Sequence, residues 1–398
     1  MQALGDRMKV SYTHTLFASY IGYIAQAIVN NFVPLLFLTF DHTYGIPLSQ
    51  ITLLVTINFG IQLVVDLLAA RYVDRIGYRI SVVGAHLFVA VGLMGLGIFP
   101  ELFKNPYHGL LLAISLYAIG GGLIEVLISP IVEACPTEKK SAAMSLLHSF
   151  YCWGHMGVVL ISTAFFTVFG IANWKVLAFL WALIPLANAF YFSQVPIQTL
   201  HEEGKELTVK ELFQMKLFWI FVLLMICSGA SEQAMNQWAS AFAESGLKVS
   251  KTMGDLAGPC LFAMLMGISR VFYAKFSEKI SLQKFMIASG VLCIISYLLA
   301  ALSPYPVLAL IGCGLCGLSV GILWPGTFSL AAAKCPKGGT AMFALFALAG
   351  DLGCSSGPTL VGMISSISNG GIKAGLMGAL IFPVLLIVGL IWCKRIKT

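Results

Sequence analysis

Five charged residues stand inside long apolar stretches of this chain, and these are the residues whose chemistry needs an explanation. They are Asp66, Glu125, Glu232, Arg270 and Asp351. Glu125 lies in "GGGLIEVLISP", where every neighbour is small or apolar. Charged side chains are costly in lipid and usually mark a solute pathway, a proton relay or an internal ion pair. An apolar setting favours the neutral form of a carboxyl group, so such an acid could take up and release a proton.

The stretch "GASEQAMNQWASAF" adds a polar helix face near Glu232. Glu232, Asn236 and Ala239 share one face by helical spacing, and Gln233 and Gln237 lie beside it. A helix that faces lipid would not present so many amides. Trp238 offers an aromatic plane or an interfacial anchor.

The composition indicates what positions these residues. The 398-residue chain is 59% hydrophobic and only 10% charged, whereas soluble domains are about 25% charged. A helix of about 20 apolar residues spans a bilayer, and the chain predicts twelve such spans and an all-α membrane protein. In order, spans 1 to 12 are residues 12–40, 48–72, 80–99, 108–133, 141–169, 174–194, 216–244, 252–276, 283–302, 306–333, 340–368 and 373–393.

Basic residues predict the orientation of the spans. With both termini cytoplasmic, all but five of the 24 lysines and arginines fall in cytoplasmic segments or near the cytoplasmic ends of spans. The exceptions are Lys104, Lys175, Lys248, Lys251 and Lys373. This bias follows the positive-inside rule, so the net charge of +7 is a topology signal and does not call for a nucleic-acid partner. We expect a multi-pass protein of the plasma (inner) membrane.

The polar stretch 196–215 divides the spans into two halves, 1–195 and 216–398. "RYVDRIG" after span 2 is matched by "KFSEKIS" after span 8, and "EACP" after span 4 by "AKCP" after span 10. Two six-span halves related as parallel repeats are typical of transporters. Asp66 and Arg270 occupy equivalent places in the halves, which favours a structural role for both. For Asp351, in "LAGDLGCSSGP", a solute site, proton coupling and a counter-ion to Arg270 all stay open.

The loop "DRIGYR", which contains Asp74, Arg75, Gly77 and Arg79, resembles the signature loop between spans 2 and 3 of the major facilitator superfamily. Gly77 permits a tight turn, and Asp74 could face the positive end of a helix. The resemblance places that helix at span 11, near Thr340. By the repeat, Glu278, in the loop that also contains Lys279, would face the start of span 5 near Ser141, so the two loops would latch the cytoplasmic side in one state. A charged loop that only satisfies the positive-inside rule is the simpler alternative.

Motifs in three spans are similar to those of the fucose permease group of proton-linked sugar symporters. "GGGLIEVLISP" matches the span 4 motif that carries the group's protonatable glutamate, which falls on Glu125. "SLLHSFYCWG" places His148 on a substrate-contacting glutamine and Ser145 on an asparagine. "WPGTFSLAAAK", which starts at Trp324, is similar to the span 10 motif.

Span 1 departs from the group's pattern, because "VNNFVP" puts Asn30, followed by Asn31, where the group has an aspartate. An amide binds hydroxyl groups but carries no proton. Coupling would then rest on Glu125, with Glu232 or Asp351. His148 is a further change, and it is either a cavity residue or a core residue.

The resemblance implies a proton symporter for a sugar or related polyhydroxy compound, working by alternating access as a monomer, with no cofactor or metal. Solute ligands would come from Asn30, Asn31, Glu125, His148, Glu232, Gln233 and Asn236, with stacking from Trp153, Trp238 and Trp324. A proton-coupled exporter of drugs or organic amphiphiles on the same fold stays open. A membrane enzyme is disfavoured because the sequence has no H-E-x-x-H or G-x-S-x-G motif.

Overall fold

The structure is a computed structural model that describes residues 11–136, 140–198, 207–276, 279–335 and 337–395. The twelve predicted spans are confirmed as helices, with ends close to the predicted ones. Spans 1 to 6 are Tyr12–Tyr44, Leu48–Ile76, Tyr78–Leu102, Pro106–Ala134, Lys140–Phe169 and Trp174–Gln194. Spans 7 to 12 are Lys216–Gly246, Lys251–Tyr273 (continuing to Phe276), Leu282–Leu302, Pro306–Lys334, Gly339–Ile367 and Gly371–Cys393 (continuing to Arg395).

Spans 1 and 7, which are equivalent in the two halves, are interrupted helices. Span 1 is α-helical over Tyr12–Asn31, tightens to a 3₁₀ turn over Val33–Leu36 and resumes over Phe37–Tyr44. Pro34 lies in that turn, where its missing N–H leaves the α-helical pattern incomplete. Span 7 is α-helical over Lys216–Asn236, breaks at Gln237 and Trp238, and ends in a π-turn over Phe242–Gly246. Breaks at matching places in two repeats are typical of helices that line a transport site.

The chain forms two compact units. One contains Met1–Phe32, Ile61–Val158 and Phe169–Glu202. The other contains Val33–Gly60, Val159–Val168 and Glu203–Thr398. The second unit thus includes the short helix after the break in span 1, the start of span 2 and the end of span 5, in addition to the C-terminal spans. Below they are called the first and second units.

Small residues bring spans 7 and 11 into close contact in the second unit. A Cβ atom at Gly353 would overlap the carbonyl oxygen of Ile226, and one at Gly350 would overlap the ring of Trp324. Gly229 lies against the Gly350 backbone in the same way. Since lipid provides no hydrophobic drive between helices, close packing over small residues is the main source of their association.

The loop after span 2 turns at Gly77, whose φ of 95° is the left-handed conformation that favours glycine. Arg79 donates from Nη1 to the carbonyl oxygens of Phe192 (3.0 Å) and Ser193 (2.8 Å). These are among the last carbonyls of span 6, so the guanidinium caps the negative end of that helix. Arg75 and Lys279 are exposed.

The predicted latch contacts lie outside the described part of the chain. The backbone of Asp74, Ser141 and Thr340 is described but their side chains are not, and Glu278 is not described. The latch therefore stays a prediction.

A short helix, Val209–Gln214, precedes span 7 and begins with a capping box. The Thr208 hydroxyl accepts a bond from the Glu211 N–H, and the Glu211 carboxylate accepts one from the Thr208 N–H (2.8 Å). The bonds from Thr208 hold the pKa of Glu211 below its usual value. The box therefore stabilises this helix while Glu211 is ionised, and its contribution is lost as the pH falls through that lowered pKa.

Candidate functional site

Glu125 in the first unit is held by an amide from span 1. The side-chain amide of Gln26 donates to Glu125 Oε2 at 3.0 Å. Glu125 is half-buried, whereas Gln26 is only 3% exposed. The carboxyl group thus has a fixed donor and remains partly open, which suits a group that must exchange a proton.

The same Gln26 amide is the first of three hydrogen-bonded amides that connect spans 1 and 2. Gln26 Nε2 also donates to Gln62 Oε1 at 3.0 Å, and Gln62 Nε2 donates to Asn30 Oδ1 at 3.1 Å. Gln62 and Asn30 are both buried. Asn31 instead donates to the carbonyl of Ala27 at 2.9 Å, within its own helix. The structure therefore brings Asn30 and Glu125 into one hydrogen-bonded cluster, here called the amide chain (Glu125, Gln26, Gln62 and Asn30).

Two glycines of the "GGG" sequence make room for the amide chain. A Cβ atom at Gly121 would lie 3.1 Å from Gln26 Oε1, and one at Gly122 would lie 3.0 Å from the Cα of Gln62. These distances are tighter than ordinary van der Waals contact, so larger residues would push spans 1 and 2 away from span 4. The glycines close to Glu125 thus allow the amides to reach it.

Tyr23 links His148 to the face of span 4 that carries Glu125. The Tyr23 hydroxyl is hydrogen-bonded to Ser129 Oγ at 2.9 Å, and its ring packs edge-on against His148 at 5.5 Å. Ser129 lies one helical turn beyond Glu125. Trp153 is about 140° around span 5 from His148 by helical geometry and is 45% exposed, so it faces away from this group.

The second unit contains a separate cluster of amides at the end of the main helix of span 7. Gln233 Oε1 accepts from Asn236 Nδ2 (3.4 Å) and from Gln237 Nε2 (3.0 Å), while Gln233 Nε2 donates to Glu232 (3.3 Å). All four side chains are buried. The cluster lies directly before the break in span 7, so the polar face predicted from the spacing ends where the helix is interrupted.

Two of the predicted aromatic residues pack between helices. Trp238 is 0% exposed, donates from Nε1 to the Pro358 carbonyl at 2.9 Å, and lies 5.3 Å from the ring of Phe37. The ring of Trp324 covers Gly350, beside the buried Asp351. Their positions fix span 7 and span 10 against span 11.

Arg270 of span 8 lies against span 10 and interacts with Glu232 of span 7. Its Nε donates to the Gly321 carbonyl at 3.1 Å, where span 10 is interrupted between Val320 and Leu323. Arg270 also interacts electrostatically with Glu232. A guanidinium near a buried carboxylate balances its charge. The expectation of a structural role for Arg270 is consistent with this placement.

A charged cluster around Lys251 is one that sequence reasoning missed. Lys251 Nζ lies 3.2 Å from Glu244 Oε1 and 3.0 Å from Asp255 Oδ2. It also donates to the Leu35 carbonyl of the 3₁₀ turn in span 1 at 2.7 Å. Ser240 donates to Asp255 at 2.5 Å. The lysine predicted to lie in a loop thus joins spans 7 and 8 to the second part of span 1.

Gln26 and Gln62 also escaped prediction, because an isolated amide in an apolar span is a weaker signal than a charge. A signal was available, since Gln26 and Asn30 are four residues apart, as are Gln62 and Asp66. That spacing places polar side chains on one helix face. Within the described residues, no group of three His, Cys, Asp or Glu side chains is placed to hold a metal ion.

The sequence matches the family model of the Major Facilitator Superfamily over residues 15–358. A comparison with curated proteins finds no match.

Three solved structures share the fold at 14–15% identity. A bacterial homologue of the human lysosomal transporter Spinster, in an inward-facing and occupied conformation, has a TM-score of 0.76, with 97% of both chains covered. A D-xylose–proton symporter has a TM-score of 0.77, with 97% of this chain and 96% of that chain covered. A variant of the fucose:proton symporter of E. coli has a TM-score of 0.66, with 98% of this chain and 100% of that chain covered.

Proposed function

Because this chain belongs to the Major Facilitator Superfamily, we propose that it is a secondary active transporter that couples movement of a sugar or related polyhydroxy solute to a proton. The observation that carries the proposal is the setting of Glu125, a half-buried carboxyl group in an apolar helix that accepts a hydrogen bond from a neutral amide of span 1. A group of this kind can be charged when water reaches it and neutral when water is excluded.

The amides near the two helix breaks are proposed as the solute ligands. In the first unit these are Asn30 and Asn31, with His148 next to Tyr23. In the second unit they are Gln233 and Asn236, next to Glu232. Amides offer both a donor and an acceptor, which suits hydroxyl groups that do both. Two of the solved structures of this fold are named as proton symporters of fucose and xylose, which supports a sugar as the solute.

The remaining coupling groups and the loops complete the proposal. Glu232 and Asp351 are further candidate proton sites, and the loop around Asp74 with its counterpart around Glu278 is the proposed cytoplasmic latch. We place the protein in the plasma (inner) membrane with both termini in the cytoplasm, acting as a monomer.

Transport by purified protein in proteoliposomes tests this function, with fucose and xylose as the first solutes. The substitution Glu125→Gln keeps the size of the side chain but fixes it neutral. Exchange of solute needs no net proton transfer, whereas accumulation against a gradient does. We therefore expect counterflow to be retained and uptake driven by a pH gradient to fall at least tenfold.

The matched control is Glu101→Gln, an acid at the end of span 3 that pairs with Lys175 and is more than half exposed. It should accumulate solute like the parent. If Glu125→Gln also accumulates solute, coupling lies elsewhere, and Glu232 and Asp351 are the next residues to test. If the pH gradient instead drives solute out of the vesicles, the protein is an exporter.

A further inference from the structure

We propose that the amide chain is a reversible relay, through which the protonation state of Glu125 decides whether Asn30 presents a hydrogen-bond donor or an acceptor. This inference rests on the proposed proton role of Glu125. It goes further by linking the protonation state of Glu125 to the hydrogen bonding of a proposed solute ligand near the break in span 1. Gln26 and Gln62 are positioning residues in this scheme, since they act through Asn30.

The observed bonds define the charged state of the relay. Gln26 Nε2 donates to both Glu125 Oε2 and Gln62 Oε1, and Gln62 Nε2 donates to Asn30 Oδ1. Gln26 donates to Glu125 because a carboxylate only accepts. The bonds from Gln26 to Gln62 and from Gln62 to Asn30 follow from that orientation of the Gln26 amide. The oxygen of Asn30 accepts the last of these bonds, so Asn30 offers its amino group to groups outside the chain of amides.

Protonation of Glu125 removes the requirement that the Gln26 amide donate a hydrogen bond to it. A proton from water forms an O–H bond on Glu125, and the new hydroxyl needs an acceptor. Gln26 has one, because its buried Oε1 has no hydrogen-bond partner among the described residues. Rotation of the Gln26 amide by 180° would bring this oxygen to the Glu125 hydroxyl, and it would also face Gln62 Oε1.

Two facing oxygens repel each other, so Gln62 must rotate as well. Its Nε2 then donates to Gln26 Oε1, and its Oε1 accepts from the Asn30 amino group after Asn30 has turned. Asn30 now offers its oxygen to groups outside the chain of amides. The relay reverses as one unit, because every intermediate arrangement would bring two amide oxygens or two amide nitrogens face to face.

The surroundings favour rotation over displacement. Terminal amides turn about a broad two-fold torsion, and their nitrogen and oxygen atoms have nearly the same size. Gly121 lies against both amides, since a Cβ atom there would be 3.1 Å from Gln26 Oε1 and 3.5 Å from Gln62 Cδ. These side chains can therefore exchange their two ends but cannot move far. Burial of Gln26 and Gln62 at 3% and 2% exposure limits competition from bulk water.

Other titratable groups surround the relay and must be distinguished from Glu125. Asp66 lies one turn from Gln62 in span 2, and His148 of span 5 contacts Tyr23 of span 1. His86 of span 3 is buried next to Gly22 of span 1 and is hydrogen-bonded to Asn188. A pH response of the amides therefore counts for the relay only if it disappears when Glu125 can no longer titrate.

Infrared difference spectroscopy on the purified full-length protein tests the relay, with the proton itself as the probe. Glutamine labelled with ¹³C at the side-chain carbonyl identifies the amide bands. In the parent, lowering the pH should produce a carboxylic acid band and, with the same midpoint, a shift of labelled amide bands. Glu125→Gln should lose both signals. Gln62→Leu should keep the acid band but lose more than half of the amide shift.

Gln283→Leu is the matched control, because it removes a glutamine amide far from the amide chain in sequence. Gln283 of span 9 donates to the Leu390 carbonyl of span 12. It should keep both signals. If the acid band of Glu125 titrates while the amide bands of the parent stay still, the relay is wrong and the proton role stands. If no acid band depends on Glu125, both the proton role and the relay fail. The parent and Glu125→Gln decide between these outcomes, even where Gln62→Leu does not fold.

Discussion

Buried charge is balanced in two different ways at the residue scale. Glu125 is half-buried and receives a hydrogen bond from a neutral amide, so nothing in that bond forces it to remain charged. Lys251 is paired with two acids and also donates to a backbone carbonyl. The first arrangement suits a group that changes its protonation state, and the second suits a permanent structural charge.

Replacing Lys251 with Met should therefore destabilise the fold strongly. The side chain of Asp255 is 0% exposed and that of Glu244 is 21% exposed, so the two acids would face each other without this cation. Removing one partner of a buried ion pair costs about 3–5 kcal/mol. We expect the melting temperature of the detergent-solubilised protein to fall by roughly 10 °C, in line with such a loss.

A second substitution separates charge from packing at this site. Asp255→Asn in the Lys251→Met background removes one of the opposed acids and keeps an acceptor for Ser240. It should restore at least half of the lost melting temperature. No recovery in the double variant would mean that Lys251 stabilises the fold through its aliphatic packing alone.

The residues of the candidate site could be predicted from the sequence only in part. Charged side chains in apolar runs are conspicuous because lipid penalises them, and this makes Glu125, Glu232 and Asp351 candidate site residues. Gln26 and Gln62 carry no charge, and nothing in composition shows that their amides meet. That contact depends on the close approach of spans 1, 2 and 4 over Gly121 and Gly122, which is a tertiary property.

At the scale of the element, helix lengths were predictable but helix breaks were not. Span lengths follow from the thickness of the bilayer, and the observed ends agree with the predicted ones within a few residues. The interruptions in spans 1 and 7 depend on local hydrogen bonds and on neighbouring helices. Pro34 marks the first break, whereas Gln237 and Trp238 give no comparable signal. There the buried bond from Trp238 to Pro358 holds the turn.

The close contact of spans 7 and 11 makes Gly353 a highly sensitive position of this pair. A Cβ atom there would overlap the Ile226 carbonyl, which is backbone and cannot turn aside. Gly353→Ala should therefore push the helices apart and cost about 1–3 kcal/mol, seen as a fall of several degrees in the melting temperature in detergent.

Gly84→Ala is the matched control for this packing prediction. Gly84 is also within a span, but a Cβ atom at Gly84 meets no neighbour within 4 Å. Alanine favours the helix over glycine by up to about 1 kcal/mol, so this variant should melt at the parent temperature or slightly above it. Equal effects of the two substitutions would show that close approach at Gly353 is not what stabilises the pair.

At the scale of the whole molecule, composition was enough to predict twelve helices, and the repeats together with the motif resemblances predicted the family. Lipid imposes strong and simple constraints on length and polarity, so the architecture leaves a clear signal in one sequence. The division into the first and second units does not follow the two halves of the sequence. Two segments of the N-terminal half, Val33–Gly60 and Val159–Val168, belong to the second unit. Those assignments depend on which helix ends touch, which no hydropathy pattern records.

The orientation of the chain is the last property that the sequence predicts. Basic residues are retained on the cytoplasmic side during insertion, and here they concentrate in the segments on the same side as the linker and both termini. We therefore expect cysteines introduced at Lys210 and Thr398 to react with a membrane-impermeant maleimide only in inside-out vesicles. A cysteine at Lys104, between spans 3 and 4, should react only in right-side-out vesicles.

The native thiols provide a low background, since nine of the ten cysteines are buried and Cys354 is half-buried. Labelling of Lys210→Cys and Thr398→Cys from opposite sides would rule out an even number of spans between them, and labelling of all three from one side would rule out the positive-inside assignment.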